Sequence, residues 1–192
     1  MAGNIRKYTF DEYIEVVRKF HSYPAPGVLI GGFMVELAYR NLPEGGLFDA
    51  ISETDKCLPD SVQLLTPCTV GNGWLRVMKT GRFALIVYDK TTGDGIRVYI
   101  DISKLDKWPE IKGWFLQTKP KKEQDSVLLL KQIGEAGTGI LSFQKIKIEI
   151  SSLKSKHGKT SICPQCKESY PSSDGEICLG CQGHIPYKKT AG

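Results

Sequence analysis

Two pairs of cysteines near the end of the chain have the spacing of a metal site. Each pair encloses two residues, and 11 residues separate Cys163 and Cys166 from Cys178 and Cys181. Two intervening residues let a tight turn present both sulfur atoms to one ion, and two such turns supply the tetrahedral set of thiolates that zinc prefers. The segment has little apolar content, so it should need the ion to fold. The spacing therefore predicts structural Zn²⁺, with iron in the same cage or unrelated or disulfide-linked cysteines as alternatives.

The charge of this cysteine-rich segment argues against a nucleic-acid partner. From Ser151 onward there are six lysines and three acidic residues, and the formal charge of +3 falls to +1 once four thiolates and one Zn²⁺ are included. The aromatic residues are limited to Tyr170 and Tyr187. Nucleic-acid-binding modules carry a denser basic and aromatic surface. We therefore expect a protein-docking or dimer-bracing role for the segment rather than nucleic-acid binding.

The other two cysteines suggest a second, open metal site. Cys57 precedes a predicted short helix and Cys68 follows it, while His21 follows the first predicted helix. Imidazole and thiolate bind zinc and similar metals, and three protein ligands with one open position are typical of a reactive site. We expect these three residues to share a metal ion of unknown identity, with Asp60 as an additional ligand. The alternatives are buried core cysteines, a histidine favoured by the helix dipole and an aspartate cap.

The residues around Cys68 suggest a reactive position. The stretch 66–73 reads TPCTVGNG, so Cys68 lies between a proline and a glycine-rich turn, where backbone curvature should expose its side chain. The catalytic residue is unknown and Cys68 is the candidate for it; in the alternative of a stand-alone enzyme, Cys68 would act as a thiolate or as a metal-bound thiol. The backbone N–H groups of Thr69, Gly71 and Gly73 would then bind an anionic ligand beside it. Alternatively, these glycines serve only the turn.

The elements that must position these residues indicate an α+β protein. The residue pattern predicts N-terminal helices packed on a largely antiparallel sheet, followed by a small four-cysteine module of zinc-ribbon or treble-clef type. Three strands are expected to form an antiparallel meander, and the region around Pro109 an irregular connection. The predicted helices cover residues 9–20, 28–40, 59–65 and 123–134, and the predicted strands cover 47–52, 74–79, 82–89, 96–101 and 143–150.

Composition describes an ordinary globular chain with no membrane segment. Its 192 residues are 41% apolar and 24% charged, and no apolar run approaches the roughly 18 residues of a membrane span. The net charge of +5 falls to +3 with the zinc site included. We predict a first domain at 1–150, a polar linker at 151–159 and a zinc module at 160–192. No secretory signal is visible, so we expect a cytoplasmic protein.

Two motifs of the first domain resemble a known family. Residues 53–57 read ETDKC, and together with the TPCTVGNG stretch they resemble the E subunit of formylmethanofuran dehydrogenase. The resemblance covers about residues 8–150, and family members often carry a cysteine-rich zinc module behind that domain. The family usually shows Phe-His-Gly-His-x-Cys-Pro-Gly after the first helix, where this chain reads FHSYPAPG at 20–27. The second histidine is therefore Tyr23 and the cysteine is Ala25, which puts any activity requiring them in doubt.

The resemblance implies a role in one-carbon metabolism. The parent complex reduces CO₂ to formylmethanofuran at a tungsten or molybdenum centre in other subunits. We therefore expect a metal-binding accessory protein of an oxidoreductase, not catalytic alone, whose partners are formylmethanofuran dehydrogenase subunits or another redox protein. Family resemblance and the Gly31–Gly32 pair, which suggests close helix packing, also lead us to expect a homodimer. The alternatives are a stand-alone enzyme using Cys68 and a nucleic-acid-binding zinc-ribbon protein.

Overall fold

A computed structural model describes residues 4–153 and 158–187 of the chain. The chain divides into two compact units, Met1–Ile148 and Glu149–Gly192. Residues 154–157 of the predicted linker and residues 188–192 of the predicted module lie outside the described residues. Across the described ranges, no helix combines the length and apolar character that a membrane span requires.

Two helices open the first unit. Helix α1 (Phe10–His21) begins with a capping box in which the Thr9 hydroxyl accepts from the Glu12 N–H while the Glu12 carboxylate accepts from the Thr9 N–H. Helix α2 (Pro26–Arg40) follows after a short turn and is apolar on nearly all sides. Such a helix belongs in the core rather than on the surface. Its residues are buried from Gly27 to Glu36.

The sheet has five strands in the order β2-β1-β3-β4-β5. Its strands are β1 (Phe48–Ser52), β2 (Leu75–Val77), β3 (Ala84–Asp89), β4 (Asp94–Ile100) and β5 (Leu141–Lys147). Strands β1, β3, β4 and β5 pair antiparallel, whereas β2 pairs parallel to β1. The prediction that β2 begins a meander with β3 was therefore wrong. Helix α3 (Leu58–Leu65) lies between β1 and β2 in the chain and provides the crossover that a parallel pair needs.

Two further helices complete this unit. Helix α4 (Pro109–Phe115) lies where an irregular connection was predicted, and α5 (Ser126–Ala136) lies close to the predicted helix at 123–134. Pro109 suggests a break in the regular structure, but proline is favoured in the first turn of a helix, where its missing N–H needs no partner. The difference matters because α4 and the loop after it form part of the candidate site.

The glycine pair of α2 packs within its own chain. A Cβ at Gly31 would overlap the Ser61 side chain on α3, and a Cβ at Gly32 would overlap the ring of Tyr13 on α1. The Ser61 hydroxyl donates to the carbonyl of Val28 over 2.9 Å, which fixes α3 against α2. The close packing predicted for these glycines is thus present, but neighbouring helices of the same chain account for it, so it gives no support to a homodimer.

The second unit contains a short antiparallel hairpin of β6 (Thr160–Ile162) and β7 (Ser169–Pro171). Its loops carry the four cysteines of the two predicted pairs. Helices on a largely antiparallel sheet, followed by a separate four-cysteine module, confirm the predicted α+β fold class.

Candidate functional site

The four cysteines of the second unit converge on one point. Their sulfur atoms all lie within 4.8 Å of one another. The Sγ atoms of Cys163 and Cys181 are 3.8 Å apart, and those of Cys166 and Cys178 are 3.7 Å apart. A tetrahedral zinc with Zn–S bonds of about 2.3 Å holds its sulfur atoms about 3.8 Å apart. The residues therefore fit the predicted zinc ion in both chemistry and spacing.

Backbone N–H groups donate to sulfur atoms of this cluster. N–H groups of Cys166 and Cys178 lower the pKa of Cys163 to about 6, whereas burial and the neighbouring thiols raise the pKa of Cys181 to about 12. The N–H of Cys181 donates to the sulfur of Cys178 over 3.4 Å. Lys167, directly after the first pair, has a φ of 66°, and its N–H donates to the carbonyl of Cys163. The turn thus presents both sulfurs of the first pair to one side.

In the first unit, Cys57 occupies a strained turn before α3. Its φ is 44°, which is rare for a residue other than glycine, and the N–H of Leu58 donates across it to the carbonyl of Lys56, as in a γ-turn. Opposite lies Gly27 at the start of α2, where a Cβ would stand 2.8 Å from Cys57 Cβ and 3.3 Å from Cys57 Sγ. Only glycine allows this approach, so the strained turn and Gly27 together fix the position of the thiol.

Cys57 lies in the wall of a cavity of about 710 Å³, hereafter the Cys57 cavity. This volume falls in the range of pockets that hold small organic molecules. The segment 23–27 forms one wall, and α4, α5 and the loop between them form the other. The side chains of the second wall include Trp114, Lys119, Lys121 and Leu129. None of these four was predicted as a site residue, and the helix that carries Trp114 was not predicted either.

The His21–Asp60 pair stands beside the Cys57 cavity. Nδ1 of His21 lies 2.8 Å from a carboxylate oxygen of Asp60, and the His21 ring centroid lies 5.1 Å from that of Tyr23, a residue of the cavity wall. Burial raises the pKa of the Cys57 thiol, and the negative charge of Asp60 raises it further. Cys57 is therefore a neutral thiol at neutral pH, which is a poor nucleophile.

Cys68 is a core cysteine, which corrects the prediction of an exposed, reactive residue. Its exposed fraction is 0%, and it belongs to the main hydrophobic cluster. Its thiol donates to the carbonyl of Phe48 on β1 over 3.4 Å, and burial raises its pKa. The N–H of Cys68 donates to the Thr66 hydroxyl, and this local turn directs the side chain into the protein. A thiol without solvent access cannot serve as the predicted catalytic group.

The predicted second metal site is not assembled. Among the described residues, the four cysteines of the zinc module are the only group of three or more ligands close enough to share an ion. His21, Cys57 and Cys68, with or without Asp60, do not form such a group. The reason is the intervening helix: Cys57 precedes α3 and Cys68 follows it, and eight residues of helix span about 12 Å.

The predicted anion-binding turn is closed by its own hydrogen bonds. The N–H of Thr69 donates to the side-chain oxygen of Asn72, and the N–H of Gly73 donates to the carbonyl of Val70. The Asn72 N–H in turn donates to the Thr69 hydroxyl. Gly73 has a φ of 74°, a left-handed conformation that favours glycine, and a Cβ at Gly71 would meet the Thr69 hydroxyl at 3.9 Å. The N–H groups of Thr69 and Gly73 are therefore engaged within the turn, and Gly73 serves the turn, which was the alternative interpretation.

Comparison with known proteins identifies the family. A family described as "FmdE, Molybdenum formylmethanofuran dehydrogenase operon" matches residues 20–148, and a second, the "FmdE treble clef zinc finger", matches residues 154–188. The chain belongs to the FmdE family. The resemblance predicted from the ETDKC and TPCTVGNG stretches is confirmed, and the treble clef assignment supports zinc as the ion of the four cysteines.

A solved FmdE structure is similar over almost the whole chain. It is that of a protein from Syntrophus aciditrophicus described as like FmdE, the E subunit of tungsten formylmethanofuran dehydrogenase. The two are 56% identical with a TM-score of 0.89, and the match covers 98% of this chain and 100% of the other. A probable S-adenosyl-L-methionine-binding protein of Archaeoglobus fulgidus is 26% identical over 188 residues. That match covers 86% of this chain but 51% of the relative, so the chain spans about half of that protein's length.

The FmdE domain also contains a buried charge cluster that the sequence analysis missed. Glu53, directly after β1, receives two hydrogen bonds from Arg97 on β4, at 2.7 and 2.9 Å. Arg82 approaches the same carboxylate within 2.8 Å. The Glu53 side chain is only 5% exposed, and the Arg97 hydrogen bonds lower its pKa despite burial. The ETDKC stretch thus begins with a residue that ties β1 to β4, while its cysteine lines the cavity.

Proposed function

We propose that this chain is an accessory protein of formylmethanofuran dehydrogenase, of the FmdE type, working in one-carbon metabolism and not catalytic by itself. Its functional site in this proposal is the Cys57 cavity. The observation that carries the proposal is this cavity, which has the volume of a small-molecule site and holds a fixed thiol at a strained turn. The match to the FmdE family and the similarity to the FmdE-like structure from Syntrophus aciditrophicus support the link to one-carbon metabolism.

The chemistry of the site favours an accessory role over a stand-alone enzyme. The Cys57 thiol has a raised pKa, and the nearby His21 ring is engaged by Asp60. Cys68 is fully buried, so it cannot act as the nucleophile that the stand-alone enzyme hypothesis requires. A neutral thiol in an apolar wall suits ligand binding or docking more than attack on a substrate. All six cysteines are free of disulfides, which favours a reducing, cytoplasmic setting.

The name of the Archaeoglobus relative raises S-adenosyl-L-methionine as a ligand, but the charge of the cavity argues against it. S-adenosyl-L-methionine carries a positively charged sulfonium centre. Within the described ranges, the charged side chains that line the Cys57 cavity are Lys119 and Lys121, and no carboxylate lines it. A cation would therefore meet like charge. This chain also spans only about half of that relative's length.

We also propose a homodimer, for a reason other than the glycine pair. Strand β2 is an edge strand of the described sheet, and an edge strand can pair with a strand of another chain. Large apolar side chains cluster along it: Trp74, Val77 and Met78 are 42%, 37% and 46% exposed. Association with a second copy of the chain along this edge would bury these exposed apolar side chains.

Size-exclusion chromatography with light scattering tests both associations. Alone at micromolar concentration, the chain should elute with twice its mass of 21.3 kDa. Mixed with the catalytic subunits of a tungsten or molybdenum formylmethanofuran dehydrogenase, it should co-elute at a fixed ratio and change the rate of CO₂ reduction. A monomeric mass would refute the dimer. Separate elution together with an unchanged rate would refute the accessory role.

A further inference from the structure

The walls of the Cys57 cavity are mostly apolar. Pro24, Ala25 and Pro26 line one side, and Trp114, Leu129 and Leu130 line the other. Burying an apolar group against such walls is favourable because it removes apolar surface from water. An indole ring in the wall also favours a flat partner, which can stack on it. The body of a fitting ligand is therefore apolar and flat.

The charge at the cavity is positive and carried by one lysine. Lys119 and Lys121 are the charged residues of the described lining. Lys119 is neutralised, because its ammonium lies 2.7 Å from the carboxylate of Glu110. Lys121 forms no ion pair within the described part of the chain, and its ammonium lies 5.7 Å from the ring centroid of Tyr23, which lines the same cavity. This cation–π contact holds an uncompensated positive charge at the cavity edge.

From these two observations we propose that the Cys57 cavity binds a small organic monoanion: a flat, apolar body bearing one carboxylate group, held by Lys121. The Ser126 hydroxyl and the Gln117 amide line the same cavity and can donate hydrogen bonds to the anionic group. The proposal rests on the proposed function in taking this cavity as the ligand site, and it adds the ligand's chemical class. It requires no metal and no covalent step.

Three isosteric probes test the charge preference by calorimetry: 2-naphthoate, neutral 2-naphthamide and cationic 2-naphthylmethylammonium. We expect naphthoate to bind up to about fivefold more tightly than the amide, since one partly exposed ion pair contributes up to about that factor. Lys121→Gln should weaken naphthoate by the same factor and leave the amide unchanged. Lys122→Gln is the matched control, because it removes the same charge from the neighbouring residue, which does not line the cavity. It should leave both affinities unchanged.

Protection of Cys57 from alkylation shows whether the probe binds inside the Cys57 cavity. Saturating naphthoate should slow modification of Cys57 by iodoacetamide severalfold, as measured by peptide mapping. Equal affinity for the three probes, or equal loss of naphthoate binding in both lysine variants, would overturn the anion assignment while leaving the cavity as a ligand site. If no probe binds and none protects Cys57, both the assignment and the cavity as the functional site of the proposed function are overturned, whatever the outcome of the association experiment.

Discussion

Replacing Cys163 with serine will remove the zinc ion and unfold the C-terminal module. Within its described residues, the module has one hairpin of two three-residue strands, and its buried apolar side chains are Cys163 and Tyr170. Zinc binding contributes an apparent 10–16 kcal/mol or so to folding in comparable small modules at neutral pH. Elemental analysis should show zinc falling from one equivalent per chain to near zero. Trypsin should then cleave after Lys159 and Lys167 much faster than in the wild-type protein.

Cys57→Ser is the matched control for this experiment. It changes a cysteine of the first unit and should retain one equivalent of zinc and a protease-resistant module. Cys68→Ser should likewise retain the zinc, because Cys68 is not among the four cysteines that converge. A module that stays resistant to trypsin without zinc would contradict the structural role of the ion. More than one equivalent of metal in the wild-type protein would show that a second site exists after all.

Replacing Glu53 with alanine should destabilise the first unit by about 3–5 kcal/mol, because it leaves the guanidinium of Arg97 without its buried partner. The Arg97 side chain is 16% exposed and the Glu53 side chain 5%. Urea unfolding followed by tryptophan fluorescence reports this unit specifically, since all three tryptophans lie before residue 148. Glu15→Ala is the matched control: its partner Arg18 is 53% exposed and Glu15 is 56% exposed, so the change should cost less than about 1 kcal/mol.

The contribution of Glu53 should depend on pH in a defined direction. The pKa of Glu53 is lowered in the folded state, chiefly by the hydrogen bonds from Arg97. The stabilisation is therefore fully present above the unfolded value of about 4.3 and is lost as pH falls through the lower folded value. The difference between wild type and Glu53→Ala should shrink below about pH 4. A difference that is independent of pH would contradict the ion-pair explanation.

The sequence predicted the zinc site because that site is local. Two residues between paired cysteines define the turn, and both turns lie within 19 residues, Cys163 to Cys181. The second site was different, because it required residues on separate elements to converge. Cys57 and Cys68 are near in sequence, but α3 separates them and the turn at Thr66 directs Cys68 inward. Closeness in the sequence does not show whether two such residues lie at the same end of a helix or point in the same direction.

The strands were predictable, but the order of the sheet was not. Apolar and β-branched runs identified all five strands of the first unit, because each strand is defined by its own residues. Whether β2 joins β3 or β1 depends instead on where α3 packs, which is decided by contacts such as that of Ser61 with α2. The Cys57 cavity escaped prediction for a similar reason: its wall needs α4, whose only signal was Pro109 in the first turn.

We propose that the functional thiol is Cys57 in its cavity and not Cys68 in the core. The most direct measurement is the rate of iodoacetamide modification of each cysteine in the native, zinc-loaded protein, followed by peptide mapping. Cys57 should react at least about 100-fold faster than Cys68, because Cys68 has no exposed surface and can react only when the structure opens. Modification of Cys68 as fast as or faster than that of Cys57 would contradict the account.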